Sequence, residues 1–223
     1  MVTEPGRRYA PAAGSIATEK MALRGGSFFT VPGWNGSGRD HWQSRWEAAH
    51  PGLQRIAQRD WVHPIRAEWT EAIDRAIREA ARPIFLIAHS LGCIAVAHWA
   101  LGGSGAVDGA LLVAPPLLGD SGSCPKELVT FLPMPLGPLP FRSILVASEN
   151  DPYMQLPAAE RLARSWGSEL VNMGQAGHIN VASGHGPWPA GEELLERMLV
   201  EFQGGNGGAS RRSQPDATTR NRV

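Results

Sequence analysis

The stretch Ile84-Phe85-Leu86-Ile87-Ala88-His89-Ser90-Leu91-Gly92-Cys93 decides how the chain is read. An unbroken apolar run, 84–88, gives way to a small-residue turn and then to the helix-like segment 94–101. Apolar residues without alternation fit a strand buried on both faces. A strand that turns sharply into a helix with serine at the apex needs small residues two before and two after it, because side chains there collide across the turn. Ala88 and Gly92 meet that need, Ala88 being one methyl larger than the glycine usual at its position. Ser90 is therefore a candidate nucleophile, although a serine entering a helix also serves as an ordinary cap.

Two later apolar runs end in polar residues that extend this reading. Residues 143–147 lead into Ser148-Glu149-Asn150-Asp151-Pro152, and 169–173 lead into Gly174-Gln175-Ala176-Gly177-His178-Ile179-Asn180. A nucleophile, an acid and a base in the order Ser, Asp, His, each just past a strand, is a recurring arrangement on open α/β sheets. In a parallel sheet such loops emerge on one edge, where ligands bind. Ser90, Asp151 and His178 are the expected catalytic set. Glu149 and Asn150 adjoin Asp151, which also has the position of a turn residue before Pro152. The other histidines fit less well: His89 flanks the turn, His98 lies within the following helix, His185 follows in a Gly-rich loop, and His41, His50 and His63 precede Ser90.

Strand signals over 27–31, 53–57, 83–88, 107–114, 143–147 and 169–173 alternate with helical faces. Trp69, Ala72, Ile73, Ala76, Ile77 and Ala80 recur at helical spacing before Pro83; so do Ala159, Leu162, Ala163 and Trp166, and again Leu194, Leu195, Met198, Leu199 and Phe202. The expectation is an α/β domain over 27–203, a six-stranded parallel sheet in order 2-1-3-4-5-6 with helices on both faces. Residues 1–26 show no apolar period, and 204–223 are rich in Gly, Ser and Arg; both are expected to be disordered.

Charge narrows the partners. Residues 1–26 carry four basic and two acidic side chains and 204–223 four and one, which leaves 27–203 at net −5. An acidic body argues against nucleic acid as partner. No apolar run would span a membrane and no secretory signal is visible, so a cytoplasmic location is expected. Cys93 and Cys124 read as reduced thiols, and no metal or cofactor motif is present.

The loop after the first strand, Val31-Pro32-Gly33-Trp34-Asn35-Gly36-Ser37-Gly38, carries enough glycine to expose backbone donors. An acyl-transfer site needs two N–H groups aimed at the developing oxyanion, one following the nucleophile and one from such a loop. Leu91 and Trp34 are the expected donors, with Asn35 second to Trp34; Asn35 and Trp42 are expected to touch substrate. Asp40-His41-Trp42-Gln43 has the spacing of an Asp-capped helix, giving Asp40 and Gln43 a structural role.

These motifs together, with Ser37-Gly38-Arg39-Asp40-His41-Trp42-Gln43-Ser44-Arg45-Trp46-Glu47 and Gly186-Pro187-Trp188-Pro189, resemble the YdeN-like serine hydrolase family, which includes the retinoblastoma-binding-protein type. The resemblance runs from about Phe28 to Phe202. It implies a compact α/β-hydrolase with a Ser-Asp-His triad carried by Ser90, Asp151 and His178; the expected reaction of such a triad is cleavage of a small-molecule ester or amide through an acyl-enzyme. The stretch 115–141 is too short and proline-broken for a large lid, which favours short acyl or aromatic groups. Acyl transfer to another acceptor, or a non-catalytic protein-binding module on the same fold, are the rival readings. No Leu-x-Cys-x-Glu segment supports a protein partner.

Overall fold

The computed structural model describes residues 8–10, 25–103, 106–119 and 124–207, with side chains to 202 in the last helix. Its strands are β1 (Ser27–Val31), β2 (Leu53–Arg55), β3 (Ile84–His89), β4 (Gly109–Val113), β5 (Arg142–Ala147) and β6 (Glu169–Asn172). They form one parallel sheet in the order β2-β1-β3-β4-β5-β6. The helices are α1 (Trp42–Ala49), α2 (Arg66–Arg78), α3 (Leu91–Leu101), α4 (Leu156–Trp166) and α5 (Pro189–Gly207).

The period of two along each strand divides the core into two layers. In β3, Ile84, Leu86 and Ala88 face the cluster built with α2, α3 and α4, whereas Phe85 and Ile87 face the cluster containing Trp42 and Trp46 of α1 and Leu194, Leu195 and Met198 of α5. Both faces of the strand are covered, which is why its sequence is apolar throughout. Because β1 lies between β2 and β3, the chain moves to opposite sides of the sheet on leaving β1 and on leaving β3, and a crevice opens between their exit loops.

Several boundaries differ from the sequence reading. Helix α1 is capped by His41, whose Nδ1 accepts the Gln43 N–H at 3.2 Å, while Asp40 is exposed and pairs with Arg45. Gln43 has the structural role expected of it: buried, it accepts from Ser37 Oγ and donates to the Ile87 carbonyl. Residues 8–10, expected in a disordered extension, lie against β6: Arg8 bridges Asn172, and Tyr9 N–H donates to the Asn172 carbonyl at 2.7 Å. Helix α5 includes 204–207, which the sequence reading assigned to the tail. The rest of both expected extensions, 1–7, 11–24 and 208–223, lies outside the described residues. In the segment expected to lack a lid, the one described helix is a 3-10 turn, Lys126–Phe131, with Leu128 and Phe131 buried. No helix among the described residues is long and apolar enough to cross a membrane.

Candidate active site

Ser90 stands between β3 and α3 with φ 53° and ψ −127°, a backbone conformation L-residues avoid. It is held by its own N–H, which donates to the Val113 carbonyl at 2.9 Å. The small residues around it have distinct causes. A Cβ on Gly92 would stand 2.2 Å from the Val31 carbonyl oxygen, so α3 enters against the end of β1 only because position 92 has no side chain. Ala88, by contrast, is an ordinary strand residue in register with Val31 and Leu112, and its methyl is buried in the core.

The loops after β5 and β6 bring the other two expected residues to this turn. His178 Nε2 lies 2.9 Å from Ser90 Oγ, and His178 Nδ1 lies 2.9 Å from Asp151 Oδ2 and 3.1 Å from Oδ1. Asp151 and His178 are both buried. Asp151 Oδ1 also accepts the Tyr153 N–H at 2.9 Å, so the turn role and the contact with His178 coexist. Its sequence neighbours are engaged elsewhere: Glu149 with Arg8, Asn172 and Gln175, and Asn150 with Ser148 and Gly177.

The two expected backbone donors belong to the start of α3 and to the loop after β1. Leu91 opens α3, where the first N–H groups have no partner within the helix. A Cβ on Gly33 would sit 2.7 Å from Ser90 Cβ and 3.2 Å from Leu91 N, which shows how closely the β1 loop presses on the turn. In that loop the Asn35 N–H is committed to the Trp61 carbonyl and the Gly36 N–H to the Gly33 carbonyl, which removes Asn35 as the alternative backbone donor. The Trp34 N–H, which precedes both in the chain, has no hydrogen-bond partner among the described residues.

A cavity of about 580 Å³ opens over Ser90 and His178. Leu117, Leu118, Leu128 and Met154 contribute apolar wall; Asn35, Gln155 and Asn180 contribute amides. Asn35 is thus placed to touch a ligand. Trp42 is not: fully buried, it packs on Trp46 and Trp188 and donates Nε1–H to the Ile179 carbonyl at 2.9 Å, so its expected substrate role is replaced by a core one. The rings of Trp42 and Trp188 complete each other's burial, and that pairing is invisible in the local sequence.

Of the wall residues the sequence reading missed, three carry aromatic or imidazole rings. Tyr153, mostly exposed, sets its ring edge-on to His178 with centroids 4.6 Å apart. His41 and His89 line the cavity with centroids 4.7 Å apart. Burial, the nearby Arg55 and His178 lower the His41 pKa to about 4, and burial, His41 and His178 hold His89 well below its ordinary value. Their tautomers follow from their partners. His89 Nε2 meets the His178 carbonyl at 3.0 Å, and a carbonyl only accepts, so Nε2 carries the proton. His41 Nδ1 accepts an amide N–H, so its neutral ring is protonated on Nε2. Cys93 is buried beneath the turn, its thiol pushed up by desolvation, and Cys124 reaches the cavity wall. No cluster of three or more His, Cys, Asp or Glu among the described residues is placed to hold a metal ion.

A doubly covered parallel sheet with a strained serine turn and a Ser-His-Asp constellation at its carboxyl edge defines an α/β-hydrolase. The chain belongs to the serine hydrolase family, whose profile matches residues 28–197. It is 35% identical to a YdeN-like hydrolase from Pectobacterium atrosepticum, over 79% of this chain and 91% of that one, with a TM-score of 0.70. The ydeN gene product of B. subtilis shares the fold at 17% identity, over 78% of this chain and 98% of that one, with a TM-score of 0.64. Esterase 2 of Thermogutta terrifontis does so at 19% identity, over 83% and 87% of the two chains, with a TM-score of 0.58. No curated protein sequence matches the chain.

Proposed function

We propose that the protein cleaves small acyl esters or amides through an acyl-enzyme on Ser90. The observation that carries this reading is the continuous path from Asp151 through His178 to Ser90, with both contacts at 2.9 Å, ending on a serine in a strained turn. His178 Nε2 takes the hydroxyl proton as Ser90 Oγ attacks the carbonyl carbon. Asp151 holds the Nδ1 proton and stabilises the imidazolium that forms. Negative charge moves to the carbonyl oxygen, where the Leu91 and Trp34 N–H groups receive it. His178 then gives its proton to the leaving oxygen or nitrogen, and a water activated by the same imidazole releases the acid and restores Ser90.

The cavity volume is that of a small-molecule site, and the leucine and methionine wall beside the turn suits a short apolar or aromatic acyl group. Ester chemistry is further suggested by structural neighbours described as esterases, among them the Thermogutta enzyme and the B. subtilis carboxylesterase CesB.

The test is labelling of the purified protein with a fluorophosphonate probe beside Ser90→Ala and Asp151→Asn, with p-nitrophenyl esters of increasing chain length as substrates. Ser90→Ala is expected to abolish labelling and lower kcat on the order of 10⁶-fold, and Asp151→Asn on the order of 10⁴-fold. Ester turnover that survives Ser90→Ala would overturn the mechanism. Added amine or alcohol acceptors distinguish hydrolysis from acyl transfer, since only a transferase diverts most of the product.

A further inference from the structure

We infer that Asn150 is a positioning residue for this site: its side-chain oxygen fixes the backbone that delivers His178 to Asp151. The inference rests on the reading of Ser90, His178 and Asp151 as the working triad.

Strands β5 and β6 end together, with Ala147 in register with Asn172. Beyond that point the ladder continues through side chains. Ser148 Oγ accepts the Ala176 N–H at 3.2 Å, and the Glu149 N–H donates to the Gly174 carbonyl at 2.8 Å while its carboxylate receives Gln175 Nε2 at 2.9 Å. Asn150 Oδ1 accepts the Gly177 N–H at 2.7 Å, and Asp151 receives His178 Nδ1. Residues 148–151 of one loop thus hold residues 174–178 of the other, and the Asn150 bond is the last before the imidazole itself.

That bond acts where the backbone is least able to hold itself. Gly177 has φ +57° and Ile179 φ 48°, so His178 is flanked on both sides by left-handed conformations. A Cβ on Gly177 would lie 2.5 Å from Ser183 Cβ, so the turn is also tightly enclosed. Strained turns persist where surrounding contacts over-determine them. Asn150 Oδ1 is aligned in turn by Ser148, whose hydroxyl donates to it at 2.8 Å. The Gly177 N–H can only donate, so the oxygen and not the nitrogen of the amide must face it.

Both bonds use the same oxygen, and a carboxylate would accept them equally well. An aspartate here would, however, place a second negative charge next to Asp151. Asparagine supplies the acceptor without that charge, and this gives the test its discriminating variant. The other groups around His178 are Ser90, Tyr153 and the neutral His89 and His41.

The experiment compares the full chain with Asn150→Ala, Asn150→Asp and Ser148→Ala by p-nitrophenyl butyrate kinetics, thermal melting and the low-field proton NMR signal of the imidazole N–H bound to Asp151. Asn150→Ala is expected to lower kcat on the order of 10²-fold, as misplacement of a reacting group by about 1 Å does. KM should stay within about twofold, because the cavity wall is untouched. Asn150→Asp should restore kcat to within about tenfold on the alkaline plateau, with the acid limb of kcat/KM moved to higher pH by the added charge. Ser148→Ala, which frees the Asn150 oxygen to wander, should give a smaller loss in kcat. The low-field signal should be present in the parent and Asn150→Asp proteins and lost or broadened in Asn150→Ala. A folded Asn150→Ala protein with parental kcat and signal would overturn the inference, as would an Asp variant as impaired as the Ala variant. If Asn150→Ala does not fold, Ser148→Ala with parental kcat would do the same. A parent protein that shows the signal but neither labels nor turns over ester would instead refute the catalytic reading.

Discussion

His41 should make the fold sensitive to mild acid, and the size of the effect follows from its surroundings. The ring is 6% exposed and its Nδ1 caps α1 by accepting the Gln43 N–H, so a proton added there meets both a desolvated site and a donor. Its pKa falls from an ordinary 6.5 to about 4, chiefly through burial and then through Arg55 and His178. The folded pKa is depressed, so between these two values the unfolded chain binds more protons than the folded one. Stability is therefore fully present above the ordinary value and is lost as pH falls through the window toward 4. Linkage gives a loss of about 2 kcal/mol between about pH 7 and pH 5 from this one residue, or several degrees in Tm for a domain of this size.

The assay is urea unfolding across that range for the parent and His41→Asn. Asparagine is a good N-cap and does not titrate, so the variant keeps the helix start while losing the proton site. Its stability at neutral pH should fall because the ring is gone, but its slope against pH should be shallower by about 2 kcal/mol over the interval. His89, His98 and His185 are all lowered by burial and leave a residual slope of the same sign. A His41→Asn protein with the parental slope would refute the argument, because it would mean that the ring accepts its proton in the fold as easily as in the unfolded chain.

Two glycines separate activity from stability. Gly33→Ala places a Cβ 2.7 Å from Ser90 Cβ and 3.0 Å from the His89 carbonyl oxygen. The collision lies at the nucleophile, so the rate of fluorophosphonate labelling should fall on the order of 10²-fold while unfolding stays cooperative. Gly92→Ala directs its Cβ at the backbone oxygen of Val31, which cannot swing aside as a side chain can. It should cost about 3 kcal/mol in urea unfolding, with much of the expressed protein insoluble.

The serine turn was legible because its requirements are local: an apolar strand, a serine and small flanking residues all lie within ten positions. The doubly covered parallel sheet was legible for a related reason, since its central strands carry no polar face. What sequence obscured were contacts set by distant partners. Trp42 follows a glycine-rich loop and reads equally as cavity wall or core; Trp188, far along the chain, decides for the core. His41 rather than Asp40 caps α1, its ring buried against Trp42 and His89, contacts that the local spacing does not announce. Asn35 lost its backbone donor to the Trp61 carbonyl, a pairing no local pattern announces. Tyr153 left a faint signal, two residues beyond Asp151, where an aspartate side chain accepts a backbone N–H.

Backbone strain gives a view of the site that does not depend on side-chain chemistry. The non-glycine residues with positive φ among the described residues are Asn35, Ser90, Ala114 and Ile179. They follow β1, β3, β4 and β6, so every one lies at the carboxyl edge of the sheet. Such conformations cost about 1–3 kcal/mol each, and a domain of marginal stability does not gather them on one edge without compensation. The compensation is visible in two buried clusters that cover both faces of the sheet, and in backbone bonds such as Ser90 N–H to Val113 and Ala114 N–H to Val146 that tie strained residues to neighbouring strands. A scaffold used only to present a binding face could relax these turns. Their concentration around Ser90 and His178 favours a site held ready for reaction over one that merely retains its outline.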